Sequence, residues 1–295
     1  MQKVQAIPMQ NARKIDVMDR AFQIGVFIVL VFLAFIFLVP LLWIFFSAFK
    51  VDMEVNQAGG FLLFPQTWTL DNIAALLHPD NTQFPVVRWY INSFVVAVSH
   101  TILAILVFAM SAFAYAKLKF KGKNLIFFSM LFMSSFPPVA NIIPQYWVML
   151  NLGWLNSPLA LIAPGLAGVF NIFLIRQFMY GIPNELLDSA KIDGAGEGRI
   201  FFQIMMPLCK PILTVVGLFS FTGVWNDFLW PSIAINDIDR LTLTAGLQLA
   251  RGPFGAQIAN MSSIALIAIV PMVFLFICTQ RYFVKGVSLS SGVKG

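Results

Sequence analysis

This 295-residue sequence predicts an all-α, polytopic membrane protein with six transmembrane helices. Three observations carry that reading. Hydrophobic residues make up 59% of the chain and charged residues 11%, and the mean hydropathy is +0.82, which leaves too few polar groups to cover a water-facing surface. The apolar residues form six continuous stretches, each long enough to cross a ~30 Å hydrocarbon layer as a helix, and not the short alternating segments of a membrane β-barrel. Every one of the 19 Lys and Arg except Lys50, Arg88, Arg240 and Arg251 lies on one alternating set of connections, the asymmetry that orients a chain in a bilayer.

The expected spans are 22–47, 91–114, 124–149, 158–178, 208–233 and 262–283. The first follows about 20 mostly polar residues and lacks a small-x-small cleavage site, so it reads as a retained anchor and not a removable leader. The second carries Asn92 and His100, and a lone histidine there reads as an interhelical hydrogen-bonding group. In the third, Pro137 and Pro138 withdraw N–H donors from the carbonyls of Met133 and Ser134, and Pro144 from that of Ala140. Carbonyls freed at that depth persist only against protein or a water-filled cavity. This span is therefore a candidate cavity wall to which Asn141 and Gln145 add amides; a packed kink without a ligand is the alternative. The fourth holds an isolated Asn171. The only carboxylate in any expected span is Asp227 of the fifth, about 28 Å along it at ~1.5 Å per residue, near the outer surface if the helix is straight. Trp43, Trp89, Trp147 and Trp230 at span ends fit interfacial anchoring. Cys209 and Cys278 show no pairing or metal-binding pattern and read as small apolar packing residues.

The basic connections precede span one, follow spans two and four, and follow span six, so both termini and the loop after span four are expected on the cytoplasmic side. That topology accounts for the net charge of +6 without a nucleic-acid partner. Of the opposite connections, the one between 51 and 90 contains Thr69 to Leu77, a short capped helix by its pattern. The other, about 236–260, has mixed charge and Gly-Pro turns; both suit contact with a soluble partner or simple disorder.

The sequence has no G-x-x-x-x-G-K-[ST] loop, no H-E-x-x-H and no G-x-S-x-G, so nucleotide hydrolysis or other enzymatic chemistry in this chain is not expected. The absence of a midplane carboxylate counts against a proton- or sodium-driven carrier. An energy source outside the chain is the remaining expectation.

One polar island stands out, at 183–211. Asn184 is placed to cap a helix starting at Glu185, with Glu185 and Asp188 near its positive end, and Gly194 is placed to close it in the left-handed conformation. A short rigid rod with a tight bend, held between two spans, can pass a rigid-body movement to them. The run from Pro183 to Pro211, with Ala190-x-x-Asp193-Gly194-Ala195 and the prolines after it, resembles the cytoplasmic coupling loop of permease subunits of bacterial ABC importers. Trp225 to Pro231, Gln280 to Gly286 and Gly292 to Gly295 resemble the carbohydrate-uptake branch, specifically the six-span second permease subunit of maltose-type importers. Two positions depart from the family pattern: its Glu-Ala-Ala is Asp188-Ser189-Ala190 here, and its Ser-type cap is Gly196.

The resemblance implies a type I permease domain at 22–283, between cytoplasmic segments 1–21 and 284–295, in a bacterial inner membrane. It implies that Glu185, Asp188, Ser189, Ala190, Asp193 and Gly194 dock on an ABC ATPase dimer, which alone binds ATP and Mg. It also implies a second permease subunit, in a heterodimer, and an extracytoplasmic solute-binding protein that delivers an oligosaccharide or sugar. Sugars pair hydroxyls with apolar ring faces, so Asn141, Gln145, Trp225, Asn226 and Asp227 are the candidates for the substrate path. Trp225 to Asp227 serve equally well as an interface anchor and a helix cap. A permease for another polar solute, and a channel or gradient-driven carrier, stay open as alternatives.

Overall fold

The computed structural model describes residues 9–56, 62–78, 81–251 and 257–291, and the described regular structure is helical throughout. Three helices are long and apolar enough to cross a membrane unaided, with spanning parts Phe22–Ser47, Val86–Lys117 and Ile258–Gln280. Three further spans are bent pairs, at 99°, 46° and 82°, giving up to six crossings. In chain order the helices are α1 Met9–Ser47, α2 Asp52–Asn56, α3 Asp71–Leu77, α4 Val86–Lys117, α5 Lys123–Ser134, α6 Ile142–Asn151, α7 Pro158–Ile162 and α8 Val169–Tyr180. They continue as α9 Glu185–Ile192, α10 Glu197–Ile200, α11 Met206–Leu208, α12 Lys210–Asn226, α13 Leu229–Ala234, α14 Leu243–Leu247 and α15 Ile258–Ser291.

α4 is the central post, packed against both α8 and α12. Its buried face is built from Ala97, Ala104, Ala109, Ala112 and Ala116, small residues that let neighbouring backbones approach where lipid offers no hydrophobic drive to pack. The large side chains come from the partners and from the ends. One core holds Trp89, Phe221, Trp225, Trp230, Leu243 and Ile264. The other holds Phe108, Phe113, Phe127, Ile175, Met179, Phe201 and Met205.

The third span is broken, not merely kinked. α5 stops at Ser134, the hydroxyls of Ser134 and Ser135 donate to the carbonyl of Leu131, and the Phe136 N–H donates to Met133 O at 3.2 Å. The expectation that Met133 keeps a free carbonyl is thus corrected: a turn, not a cavity, satisfies it. Pro144 lies in the first turn of α6, where a missing N–H costs no helical bond. Span five also differs from 208–233. It runs as the pair Glu197–Leu208 and Lys210–Asn226, and α13 is separate. Span two extends over Val86–Lys117, beyond the expected 91–114, and span four bends where Gly168 joins its two halves.

α1 and α15 also continue as helix beyond their apolar spanning parts. α1 is helical from Met9, inside the segment assigned to 1–21, and α15 is helical to Ser291, inside the tail assigned to 284–295. The Gly292 to Gly295 motif lies outside the described residues, as do residues 1–8. Along its apolar part α1 buries nothing: the most hydrophobic stretch, with mean hydropathy 3.1, is 0% buried. Only its end is held. Ala48 is fully buried and its carbonyl accepts from Asn72 Nδ2 at 3.2 Å and Ser263 Oγ at 3.4 Å, while Phe45, Phe46 and Phe49 make ring contacts with one another and with Phe64 and Trp68.

Two tryptophans expected at the membrane interface belong to the core. Trp89 is 0% and Trp230 8% exposed, and their indole N–H groups donate to Ile238 O at 2.6 Å and Ala160 O at 2.8 Å. A backbone carbonyl within reach of each indole N–H explains both, because a ring whose donor is satisfied by protein has no need of water. Trp147 is exposed. Cys209 is buried as expected, but Cys278 is exposed on the helix surface.

Candidate functional site

The loop between α8 and α12 forms the rod its sequence describes. α9 starts at Glu185, with Glu185 and Asp188 in its first turn and Lys191 in its last, each sign matching the nearer end of the helix dipole. Gly194 takes φ +80°. Its N–H donates to Lys191 O at 3.0 Å and the Ala195 N–H to Ala190 O at 2.9 Å, the paired bonds of a Schellman termination, which requires a left-handed residue at that one position. Asp193 closes the last turn ahead of it. Ser189 Oγ donates to the carbonyl of Glu185 at 2.8 Å. Lys191 and Glu197 pair at 2.8 Å across the bend, and that hydrogen bond holds the lysine pKa above its ordinary value. Of the rod's apolar residues, Leu187 is buried against the bundle, whereas Ile192 is 86% exposed.

Asn184 does not cap α9. Its backbone is already helical and its side chain makes no capping bond. Instead its Oδ1 accepts from Lys117 Nζ at 2.9 Å, and the same ammonium donates to Ile182 O at 2.7 Å. The last residue of α4 thus grips the entry to the rod, a cation competing successfully for an amide oxygen that backbone N–H groups would otherwise use. Nearby, buried Arg176 of α8 lies over the ring of Phe127 at 3.9 Å and donates to Tyr180 Oη at 2.8 Å. These contacts tie α5 and α8 together just above the rod.

A cavity of about 350 Å³ lies between α4, α6, α7 and the junction of α12 with α13. Gln145 and Asp227, both expected on a substrate path, line it together with His100. Asn141 is exposed outside its lining, and so is Asn226. Trp225 is 1% exposed: its ring stacks on Phe221 and its Nε1 donates to Ala268 O at 3.1 Å, so it offers no face to a solute. Asp227 does cap a helix, Oδ1 accepting from the N–H groups of Leu229 at 3.1 Å and Trp230 at 3.3 Å. His100 Nδ1 bonds to Ile162 O at 2.9 Å, the interhelical bond expected of it. Its place on the cavity wall was not legible, because α4 and α7 meet only through tertiary packing.

The family described as the binding-protein-dependent transport system inner membrane component matches residues 107–289. The chain belongs to this family. The permease is 34% identical over 265 residues to an arabinooligosaccharide transport system permease of Halalkalibacterium halodurans, covering 90% of this chain and 94% of that one. It is 32% identical to a diacetylchitobiose uptake permease of Streptomyces coelicolor, with 92% and 89% covered. It is 35% identical to an sn-glycerol-3-phosphate permease of Shigella flexneri, with 83% and 89% covered. Its fold matches a chain of a bacterial ABC transporter that imports the acidic polysaccharide alginate, with TM-score 0.79, 22% identity, and 90% and 98% covered.

The grip of Lys117 on the rod of this permease gives one expectation. Lys117→Met removes two charge-assisted bonds while keeping the side-chain bulk, and losing about 1.4 kcal/mol of rod anchoring corresponds to about a tenfold change in an equilibrium. Uptake per ATP hydrolysed, measured in proteoliposomes, should fall severalfold with the chain still inserted. Unchanged stoichiometry would show that the contact does not transmit movement.

Proposed function

We propose that this permease is one of two different membrane subunits of an ATP-driven importer for a sugar or oligosaccharide. The observation that carries the reading is the rigid α9 rod, closed at Gly194 and fastened to the central post α4 through Lys117. A separate ATPase dimer, which holds ATP and Mg, seats Glu185, Asp188, Ser189, Ala190, Asp193 and Gly194. ATP binding moves the rod as a rigid body, and the spans alternate between outward-open and inward-open forms. This subunit performs no bond-breaking chemistry, which agrees with its lack of a nucleotide-binding loop.

The end of α4 that holds Lys117 lies among the basic connections, and the opposite end, where Arg88 pairs with Asp239 at 2.6 Å, lies among the sparsely basic ones. By the positive-inside rule this supports a cytoplasmic rod and cytoplasmic termini. A solute-binding protein meets the other face. The carbohydrate assignment is supported by the arabinooligosaccharide and diacetylchitobiose relatives; the glycerol-3-phosphate relative supports the second reading, another polar solute.

Gentle purification of the tagged permease from its own membrane, followed by mass spectrometry, is expected to recover a P-loop ATPase and a second permease. Proteoliposomes holding that complex and the binding protein should take up a neutral oligosaccharide only with ATP. Uptake that persists without ATP, or a chain that purifies alone, would overturn the proposal in favour of a channel or carrier.

A further inference from the structure

We propose that the cavity lined by His100, Gln145 and Asp227 is a binding site for a neutral, hydroxyl-rich sugar ring, and that it discriminates against uronic acids and sugar phosphates. The inference rests on the importer reading and adds to it the charge class of the substrate.

The hydrogen-bonding capacity of the three side chains points that way. The carbonyl of Ile162 can only accept, so His100 Nδ1 carries the proton toward it. In the neutral ring Nε2 is then left as an acceptor. Gly165 is the residue that makes this placement possible: a Cβ there would fall 2.4 Å from His100 Cε1 and 3.1 Å from Nε2. Asp227 commits Oδ1 to two backbone N–H groups and leaves its other carboxylate oxygen as a second acceptor. The side chain of Gln145, half-buried, makes no hydrogen bond among the described residues and offers both a donor pair and an acceptor.

The site therefore presents mostly acceptors, which suit hydroxyl donors. No Lys or Arg is among the lining residues. A phosphate or carboxylate brought there would meet the Asp227 charge with no cation to offset it, a cost that like charges in a partly dehydrated site make large. Apolar walls complete the fit to a sugar. Ile142, Leu161 and Pro138 line the cavity, and Trp230, whose indole N–H is already used on Ala160 O, adds only ring surface. At about 350 Å³ the cavity is at the small end of the ~300–1,000 Å³ range of small-molecule sites, so it holds a short part of a chain at a time.

The test uses the whole importer complex in detergent, without the binding protein, so that the latter's own preference does not enter. The probes are a diazirine-tagged neutral disaccharide and its uronic acid counterpart, and the readout is the adduct position by peptide mass spectrometry. The neutral probe should label 138–145 and 223–230, and the acidic probe should label them at least tenfold less. Gln145→Leu should reduce neutral labelling about tenfold, the loss expected of one buried polar contact of ~1.4 kcal/mol. Asp227→Asn, which keeps an oxygen for the two capping N–H groups, should bring the acidic probe's labelling up to within threefold of the neutral one.

ATP-driven uptake with adducts outside these segments, or equal labelling by both probes in the wild type, would overturn the cavity proposal and leave the importer reading standing. Absence of ATP-driven uptake for any saccharide would instead remove the importer reading itself. A melting temperature within a few degrees of wild type shows that a variant's loss is not misfolding.

Discussion

Gly194→Val is expected to reduce ATP-driven uptake to below a tenth of wild type while the chain still inserts and folds. The separation of those two effects follows from the geometry. A Cβ at Gly194 would meet nothing within 4 Å, so no clash opposes the substitution. The penalty is in the backbone, at φ +80°, where an ordinary side chain costs roughly 1–2 kcal/mol and a β-branched one more. The chain relieves that strain by leaving the left-handed region, which breaks the Ala195 to Ala190 bond and turns the rod away from its seat. Gly194→Asn is the control, because asparagine tolerates the conformation; it should keep a substantial part of both uptake and ATPase co-purification. A valine variant that transports like wild type would show that the bend does not set the docking geometry.

Gly246→Ala is expected to have the opposite profile, damaging the fold itself. A Cβ there would lie 2.3, 2.4 and 2.6 Å from three atoms of the Trp89 ring. That ring cannot give way: it is fully buried, packs edge-on against Phe84, and is held through Nε1 on Ile238 O. α14 would have to lift from α4 and strain the buried bond from the Leu243 N–H to Ser93 Oγ, 2.7 Å long. Overpacking of this kind costs about 1–3 kcal/mol or more. The detergent-solubilised variant should melt roughly 2–12 °C lower, at ~2–4 °C per kcal/mol for a chain of this class of size. Gly198→Ala, where a Cβ meets nothing within 4 Å, should melt within about 1 °C of wild type. Equal melting of all three proteins would mean that α14 moves away without loss.

The rod was legible because its determinants are local. Glu185 to Ala195 carry helix formers, acidic residues at one end and a glycine at the other, and each acts within four residues of itself. Asn184 shows where locality ends. Its residue type is a good cap, but Lys117, distant in sequence, takes its side chain. The weak point in span three was signalled by Pro137 and Pro138, whereas the break beside Pro207 and Pro211 in span five was not expected; a proline marks a weak point without saying whether the helix bends or stops. The tryptophans were misread for a related reason: Trp at a span end fits lipid headgroups and a buried carbonyl equally well, and only the position of Ile238 or Ala160 decides. Two of the five residues expected on the substrate path, Gln145 and Asp227, share one cavity, while Trp225 turned into the core.

The unburied first helix bears on how the chain is made. Phe22–Ser47 precedes the other described spans, and none of its most apolar stretch is buried in the bundle. It can thus settle in the bilayer before α4 has been synthesised, with its backbone already satisfied internally. The bent spans differ, because their broken ends need the post and its partners to close around them. Insertion can accordingly proceed in order of emergence, the earliest segment stable by itself and the later ones waiting for α4. Its attachment near Ala48, through Asn72 and Ser263, is completed only when α15 arrives, so the sixth span fastens the first.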